Sequence, residues 1–246
     1  MKTQNQYIVI NQENIPIQIK DYANAKTIKL FFKGAELHVT KPTYVGLKPV
    51  TELIKKHEAQ LYQQYQQALI QTKQKIKEWK TGESIWYQGK EYAITRIPAK
   101  DRSIHLTIEE ENKKFCIEVP LNLEESIIKP NIDSMVKKLF KNNTEVILTK
   151  KVPYWSQKTK IPYSSFKVRD AISKYGSCTP RTKVLHFSSR LIMLPEDVID
   201  AIIVHELCHI LHPNHSAKFY EAVRTFYPDY DEKATWLKQN GNRILF

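Results

Sequence analysis

The stretch 195–211, PEDVIDAIIVHELCHIL, constrains the fold more than any other part of the chain. Pro195 followed by Glu196 and Asp197 reads as a helix start, because early acids complement the positive end of the helix macrodipole. The residues that follow are apolar on nearly every side, so this helix belongs in the middle of a fold rather than on its surface. A central helix that carries His205, Glu206 and His209 needs a chemical reason for its polar groups. Spacing by four residues puts two imidazoles on one helix face about one turn apart, which suits two nitrogens converging on one zinc. Glu206 lies beside them and can reach water at that metal without ligating it, as a general base.

The next residues supply a third ligand. Pro213-Asn214 breaks the helical run, and His215 follows just after the break. That spacing lets the chain leave the helix, turn and return a third nitrogen to the same ion. His212 is the alternative third ligand if the helix ends early. Otherwise it orients a ligand or complements the C-terminal dipole. Glu221 and Glu232 lie further on and rank behind both. The metal set expected from spacing is therefore His205, His209 and His215, holding one Zn2+ per chain with a fourth position open to water. Attack on a carbonyl would also need an oxyanion donor, for which Tyr175, Arg190 and His212 are candidates. Glu206 argues against a merely structural zinc in a binding module, since a closed site needs no acid there. Cys208, among apolar neighbours, reads as an inert thiol, whereas Cys178 in KYGSC sits in basic surroundings that could lower its pKa.

Elsewhere the period changes along the chain. YIVI, IPIQI, TIKLFF and ELHV, all within the first forty-five residues, read as short strands separated by polar breaks. From Pro49 the pattern turns helical, with Leu53, Leu61, Tyr65, Leu69, Ile76 and Trp79 at helical spacings, predicting one long amphipathic helix over 49–80. SIWYQGKEYAITR, SIHLTI and KFCIEV then read as strands, with Gln88-Gly89 as a hairpin turn. After Pro120 the pattern is helical again, clearest in IDSMVKKLFKN. No internal repeat is visible. The expectation is an α+β fold with a β-rich region over 1–125, containing the long helix, and a catalytic region over 126–246 built around the buried helix.

Charge adds a question about partners. The net charge is +12, and residues 150–190 hold ten bases against one acid, Asp170. Aromatics are interleaved there, so Lys158, Lys160, Lys167, Arg169 and Lys174 are candidate contacts to nucleic acid or to a nucleotide phosphate. A nucleotide phosphoanhydride hydrolase and a nucleic-acid-associated protease are thus the alternatives to a plain peptidase. Glycine-rich phosphate loops are absent, consistent with only 6 Gly in the chain. No apolar run is long enough for a membrane span. Three scattered cysteines and an N-terminus without an apolar core read as a cytoplasmic protein. The oligomeric state is not legible.

HELCHILHPNHSAKFY, together with YGSC at 175–178 and SSRLIMLPEDVID at 188–200, resembles the YgjP-like family of small zinc metallopeptidases, which are related to the SprT and minigluzincin proteins. The likeness is dense over 168–237, including PDY at 228–230 and Trp236-Leu237, and GESIWYQGKEYAIT resembles a hairpin of the same family. It implies a zincin-type catalytic half behind a β-rich half, with His215, in the Asn-His-Ser triplet, as third ligand and a peptide or protein as substrate. Three positions depart from the family pattern: Lys174-Tyr175 stands where Arg-Trp is usual, Ser188-Ser189 where Asn-Trp is usual, and Phe219-Tyr220 closes the motif in place of Phe-Trp. The strand-like KVLHF at 183–187 could pair with an extended substrate or be an ordinary member of the sheet.

Overall fold

The alternating runs at the N-terminus do form strands. In the computed structural model, which describes residues 6–75, 77–171, 174–241 and 244, β1 (Gln6–Ile10), β2 (Glu13–Tyr22), β3 (Lys29–Lys33) and β4 (Glu36–Pro42) make one sheet in the order β1-β2-β4-β3. The β1/β2 and β3/β4 pairs are antiparallel, while β2 and β4 run parallel. Ile15, Ile17, Leu37 and Val39 alternate onto one face. There they share a core with Val50 and Ile54 of α1 (Leu47–Lys56) and with Leu61 and Tyr65 of α2 (Glu58–Lys75). Two consecutive helices thus replace the single one expected over 49–80, and they part at His57. Trp79 is not helical. It is fully buried at φ 59°, its backbone N–H donates to Glu83, and its indole N–H donates to Asp133 at 2.6 Å. Ile76, expected on the same helix face, lies outside the described residues.

The chain divides into two units, Met1–Ile76 and Lys77–Phe246, each with its own hydrophobic core. The second opens with β5 (Ser84–Tyr87), β6 (Lys90–Pro98), β7 (His105–Glu109) and β8 (Lys114–Val119), in the order β5-β6-β8-β7. This is the topology of the first sheet again, with the same parallel and antiparallel pairings. Strands starting at 6, 13, 29 and 36 are echoed by strands starting at 84, 90, 105 and 114. Even the turns match: Asn11-Gln12 and Gln88-Gly89 both have two residues at positive φ, the geometry whose twist suits a two-residue hairpin. The repeat escaped the sequence because backbone course recurs while most side chains differ, Lys29-Leu30-Phe31 corresponding to His105-Leu106-Thr107 in the other copy.

Residue 125, the boundary expected from the sequence, lies inside the second unit and opens α3 (Glu125–Thr159). This helix passes through Pro130 and Pro153 and buries one stripe, from Ile128 through Ile132, Val136, Phe140, Thr144, Leu148 and Val152 to Trp155. Near fourfold spacing over that length is the signature of one helix face packed along its whole run. Strands β9 (Ser165–Arg169), β10 (Gly176–Thr179) and β11 (Val184–Ser188) form a small sheet in the order β10-β11-β9. A 3-10 turn, Ser189–Met193, leads into α4 (Glu196–Leu211), which is followed by α5 (Ala217–Phe226) and α6 (Tyr230–Asn240). Among the described residues, no helix is long and apolar enough to cross a membrane.

Helix α4 is central because its residues leave no alternative. Val198, Ile199, Ile202, Ile203, Val204 and Leu207 are all buried, and each contributes about 1.5–3 kcal/mol when removed from water. It packs against α3, β10, α5 and α6. Asp200 accepts the Trp155 indole N–H at 2.7 Å and the Lys151 ammonium at 2.9 Å, and Lys151 also bridges to Glu196 at 2.7 Å, so α3 holds α4 at its N-terminal turns. The hairpin tip fixes the entry to the helix. The Gln88 and Gly89 N–H groups donate to the Ile192 and Met193 carbonyls, and a Cβ on Gly89 would lie 2.7 Å from Pro195 Cα.

Candidate metal centre

Helix α4 brings His205 and His209 to one face, and the turn after it returns His215. Their Nε2 atoms converge, 3.2 Å apart for His205 and His209 and 3.1 Å apart for His205 and His215. The three ligand atoms fall within 4.8 Å of one another. The second nitrogens of two of them are engaged elsewhere: His209 Nδ1–H donates to the His212 carbonyl at 3.2 Å, and His205 Nδ1 is 2.7 Å from the Tyr230 hydroxyl. With Nδ1 protonated, three unprotonated Nε2 lone pairs face one another. That arrangement is repulsive unless a cation sits among them, and N···N edges of about 3.3 Å are those of tetrahedral Zn–N bonds of about 2.0–2.1 Å. The residues fit zinc. Phe219, fully buried, forms the floor, its ring centroid 4.8, 4.5 and 4.9 Å from those of His205, His209 and His215. Ser216 caps α5 by accepting the Phe219 N–H, which places His215 and Phe219 together at the start of that helix.

Electrostatics favour neutral imidazoles. Burial and the neighbouring His209 and His215 push His205 down to about 3, and burial also lowers His209. Glu206 is buried, and its Oε2 has no hydrogen-bond partner among the described residues. Burial pushes its carboxyl up to about 8, opposed by the charge of Lys174. An unpaired buried carboxyl is costly enough to require a purpose. Strand β10 presses on it from above: a Cβ on Gly176 would lie 2.6 Å from Glu206 Oε1, so a glycine is needed there. From His205 and Glu206 a cavity of about 390 Å3 runs between α4 and α6, walled by Val198, Ala201, Ile202, Ala234 and Leu237.

A model of the YgjP-like metallopeptidase domain matches residues 26–240. The chain belongs to the YgjP-like family. Among solved structures it is similar to the metallopeptidase zymogen of Pyrococcus abyssi abylysin, with a TM-score of 0.36 and 14% identity over 40% of this chain and 99% of that one. It is also similar to the metallopeptidase zymogen of Methanocaldococcus jannaschii jannalysin, with a TM-score of 0.35 and 23% identity over 38% and 95% of the two chains. Comparison with curated proteins gives no match.

Within this YgjP-like chain, the residues singled out from the sequence separate into groups. Tyr175 borders the cavity beside Glu206. Arg190 is buried behind it, its guanidinium carbon 5.8 Å from the Tyr175 ring centre. His212 caps α4 and contributes its carbonyl to His209. Of the basic set, Lys174 lines the cavity, Lys158 lies over the Trp155 ring at 4.5 Å, Lys160 ends α3, and Lys167 and Arg169 alternate with buried Val168 on β9. They fall on the end of α3, on β9 and on the segment before β10. Burial and then Glu206 push the Cys178 thiol up to about 11, the opposite of the lowering its basic surroundings suggested, and burial pushes Cys208 to about 12. KVLHF becomes β11, which has β9 on one side and β10 on the other, so the outer strand beside Glu206 is β10. Sequence reasoning missed Tyr230, Phe219 and Gly176 as parts of the centre. Only Phe219, four residues after His215, lay near enough in sequence to be found from helical spacing.

Proposed function

We propose that the chain is a zinc metallopeptidase of zincin type, with His205, His209 and His215 as metal ligands and Glu206 as general base. The observation that carries this reading is the convergence of three Nε2 atoms beside an unpartnered buried carboxyl at the end of an open cavity. Bound zinc supplies Lewis acidity, polarising a carbonyl, lowering the pKa of water to about 7 and favouring the ionised form of Glu206. Glu206 takes a proton from the attacking water and passes it to the leaving amine nitrogen. Tyr230 holds the His205 ring through Nδ1, and the His212 carbonyl does the same for His209. Tyr175 is the one of the three oxyanion candidates that borders the cavity, which makes it the proposed donor to the developing oxyanion.

An extended peptide would add to the outer edge of β10, its backbone running past Gly176. The residue that carries the leaving nitrogen then lies on the Glu206 side, where the apolar walls of the cavity accept its side chain. Lys174, Lys233 and Lys238 also border the cavity, Lys233 being ion-paired with Asp197 and Glu232. The test is zinc content followed by cleavage of a mixed peptide pool. About one zinc per chain is expected, lost in His205→Ala, His209→Ala and His215→Ala but kept in His212→Ala. Full zinc in the first three variants, or no peptide cleaved by the zinc-loaded protein, would sink the proposal.

A further inference from the structure

In the first unit, the sheet β1-β2-β4-β3 packs one face on α1 and α2. Its other face carries the alternate residues, and Lys20, Tyr22, Lys29, Phe31 and Lys33 are exposed there. Tyr22 is 50% and Phe31 45% exposed, large values for aromatic rings on strands. The register groups them. Thr40 has Lys20 on one side and Lys29 on the other, and in the adjacent row His38 lies between Gln18 and Phe31. Phe31 and His38 stack at 5.5 Å. A shallow depression of about 570 Å3, bordered by Tyr22, Lys26, Lys29, Phe31 and Thr40, opens on this face. The nearby acids are engaged, Asp21 by Lys41 and Glu36 by His38, and Lys20, Lys26, Lys29 and Lys33 have no ion-pair partner among the described residues.

The fold does not require this decoration. The second sheet has the same topology, and at the places of Lys29, Phe31 and Lys33 it carries His105, Thr107 and Glu109, paired across to β8 as the first three are to β4. Two copies of one backbone plan therefore differ in a cationic, aromatic surface present on the first alone. Lysines at strand spacing neutralise successive phosphates, and exposed rings between them stack on unpaired bases. An acidic peptide would use the lysines and leave Phe31 and Tyr22 without a role. Duplex would hide its base faces from them.

We infer that this sheet face binds single-stranded nucleic acid, with Phe31 and Tyr22 stacking on bases and Lys20, Lys26, Lys29 and Lys33 contacting phosphates. The surface lies wholly in the first unit, and the inference does not depend on the metal centre. Fluorescence anisotropy of the full chain with a labelled oligothymidylate, at low and at physiological salt, tests it. Binding should weaken with salt, and changing Lys20 and Lys29 to Gln should flatten the slope of log K against log salt by about 0.7 per lysine. Phe31→Ala should weaken binding by about tenfold at unchanged slope. Thermal melts of each variant should match the parent, since all these side chains are exposed. No binding at low salt would overturn the inference. So would equal affinity for duplex with no effect of Phe31→Ala, or full competition by polyglutamate. Loss of binding on changing Lys158, Lys160 and Lys167 to Gln, with Phe31→Ala unaffected, would overturn it as well.

Discussion

Tyr230 is the residue whose role the sequence least revealed. It stands 25 positions from His205, and only the packing of α6 on α4 brings its hydroxyl to Nδ1. Tyr230→Phe removes that partner while keeping the ring, so zinc affinity should fall by about 10–100-fold with the fold intact. Competition against a chelator reads the change, and unaltered affinity would show the contact to be incidental. His205, Glu206 and His209 were legible because one helical turn relates them, and His215 because a proline break follows the helix. The basic residues of 150–190 could be counted from the sequence, but which faces they occupy could not, because neighbours in sequence need not be neighbours in space. Lys158 lies over the Trp155 ring, and Lys174 borders the cavity. Another residue-scale consequence concerns His186 on β11. Burial, with Arg169 and Lys167 nearby, holds its imidazole below the usual 6.5. The unfolded chain binds that proton more readily, so this contribution is complete above about pH 6.5 and shrinks as pH falls. With metal chelated in both proteins, His186→Gln should lose stability less steeply than the parent between about pH 7 and 5. Parallel curves would refute the assignment.

At the scale of elements, the site depends on where α4 begins. The β5–β6 hairpin tip donates two backbone hydrogen bonds to the 3-10 turn before α4, and Gly89 touches Pro195. Gly89 also has φ 72°. Gly89→Ala thus meets a contact and a backbone penalty together, each about 1–3 kcal/mol. Chemical denaturation should show a loss of at least that order, and a neutral result would mean that the hairpin does not brace the helix. Gln88-Gly89 was readable as a turn, but its docking surface was not, because a turn signal carries no information about what the tip meets. Likewise Trp79 fitted the helical period yet left the helix, since Asp133 and Glu83 offer its N–H groups partners that a helix position would not.

For the whole molecule, two separate cores imply two folding units, and the strand-level repeat gives each unit the same opening sheet. The sequence showed the strands but not their recurrence, because register and order are written in the backbone and the two copies share few side chains. Under the proposed function zinc would bind the native form of the second unit, so excess zinc should stabilise that unit by mass action and not the first. Calorimetry should resolve two transitions of which zinc raises one. A single transition, or equal shifts of both, would contradict the division. The proposed chemistry rests on α4. The most direct measurement is the turnover of a cleaved peptide by Glu206→Gln, with zinc quantified in the same sample. The variant should keep the parent's zinc content while its turnover falls by about 10²–10⁴-fold. Turnover at the parent rate with zinc in place would contradict it.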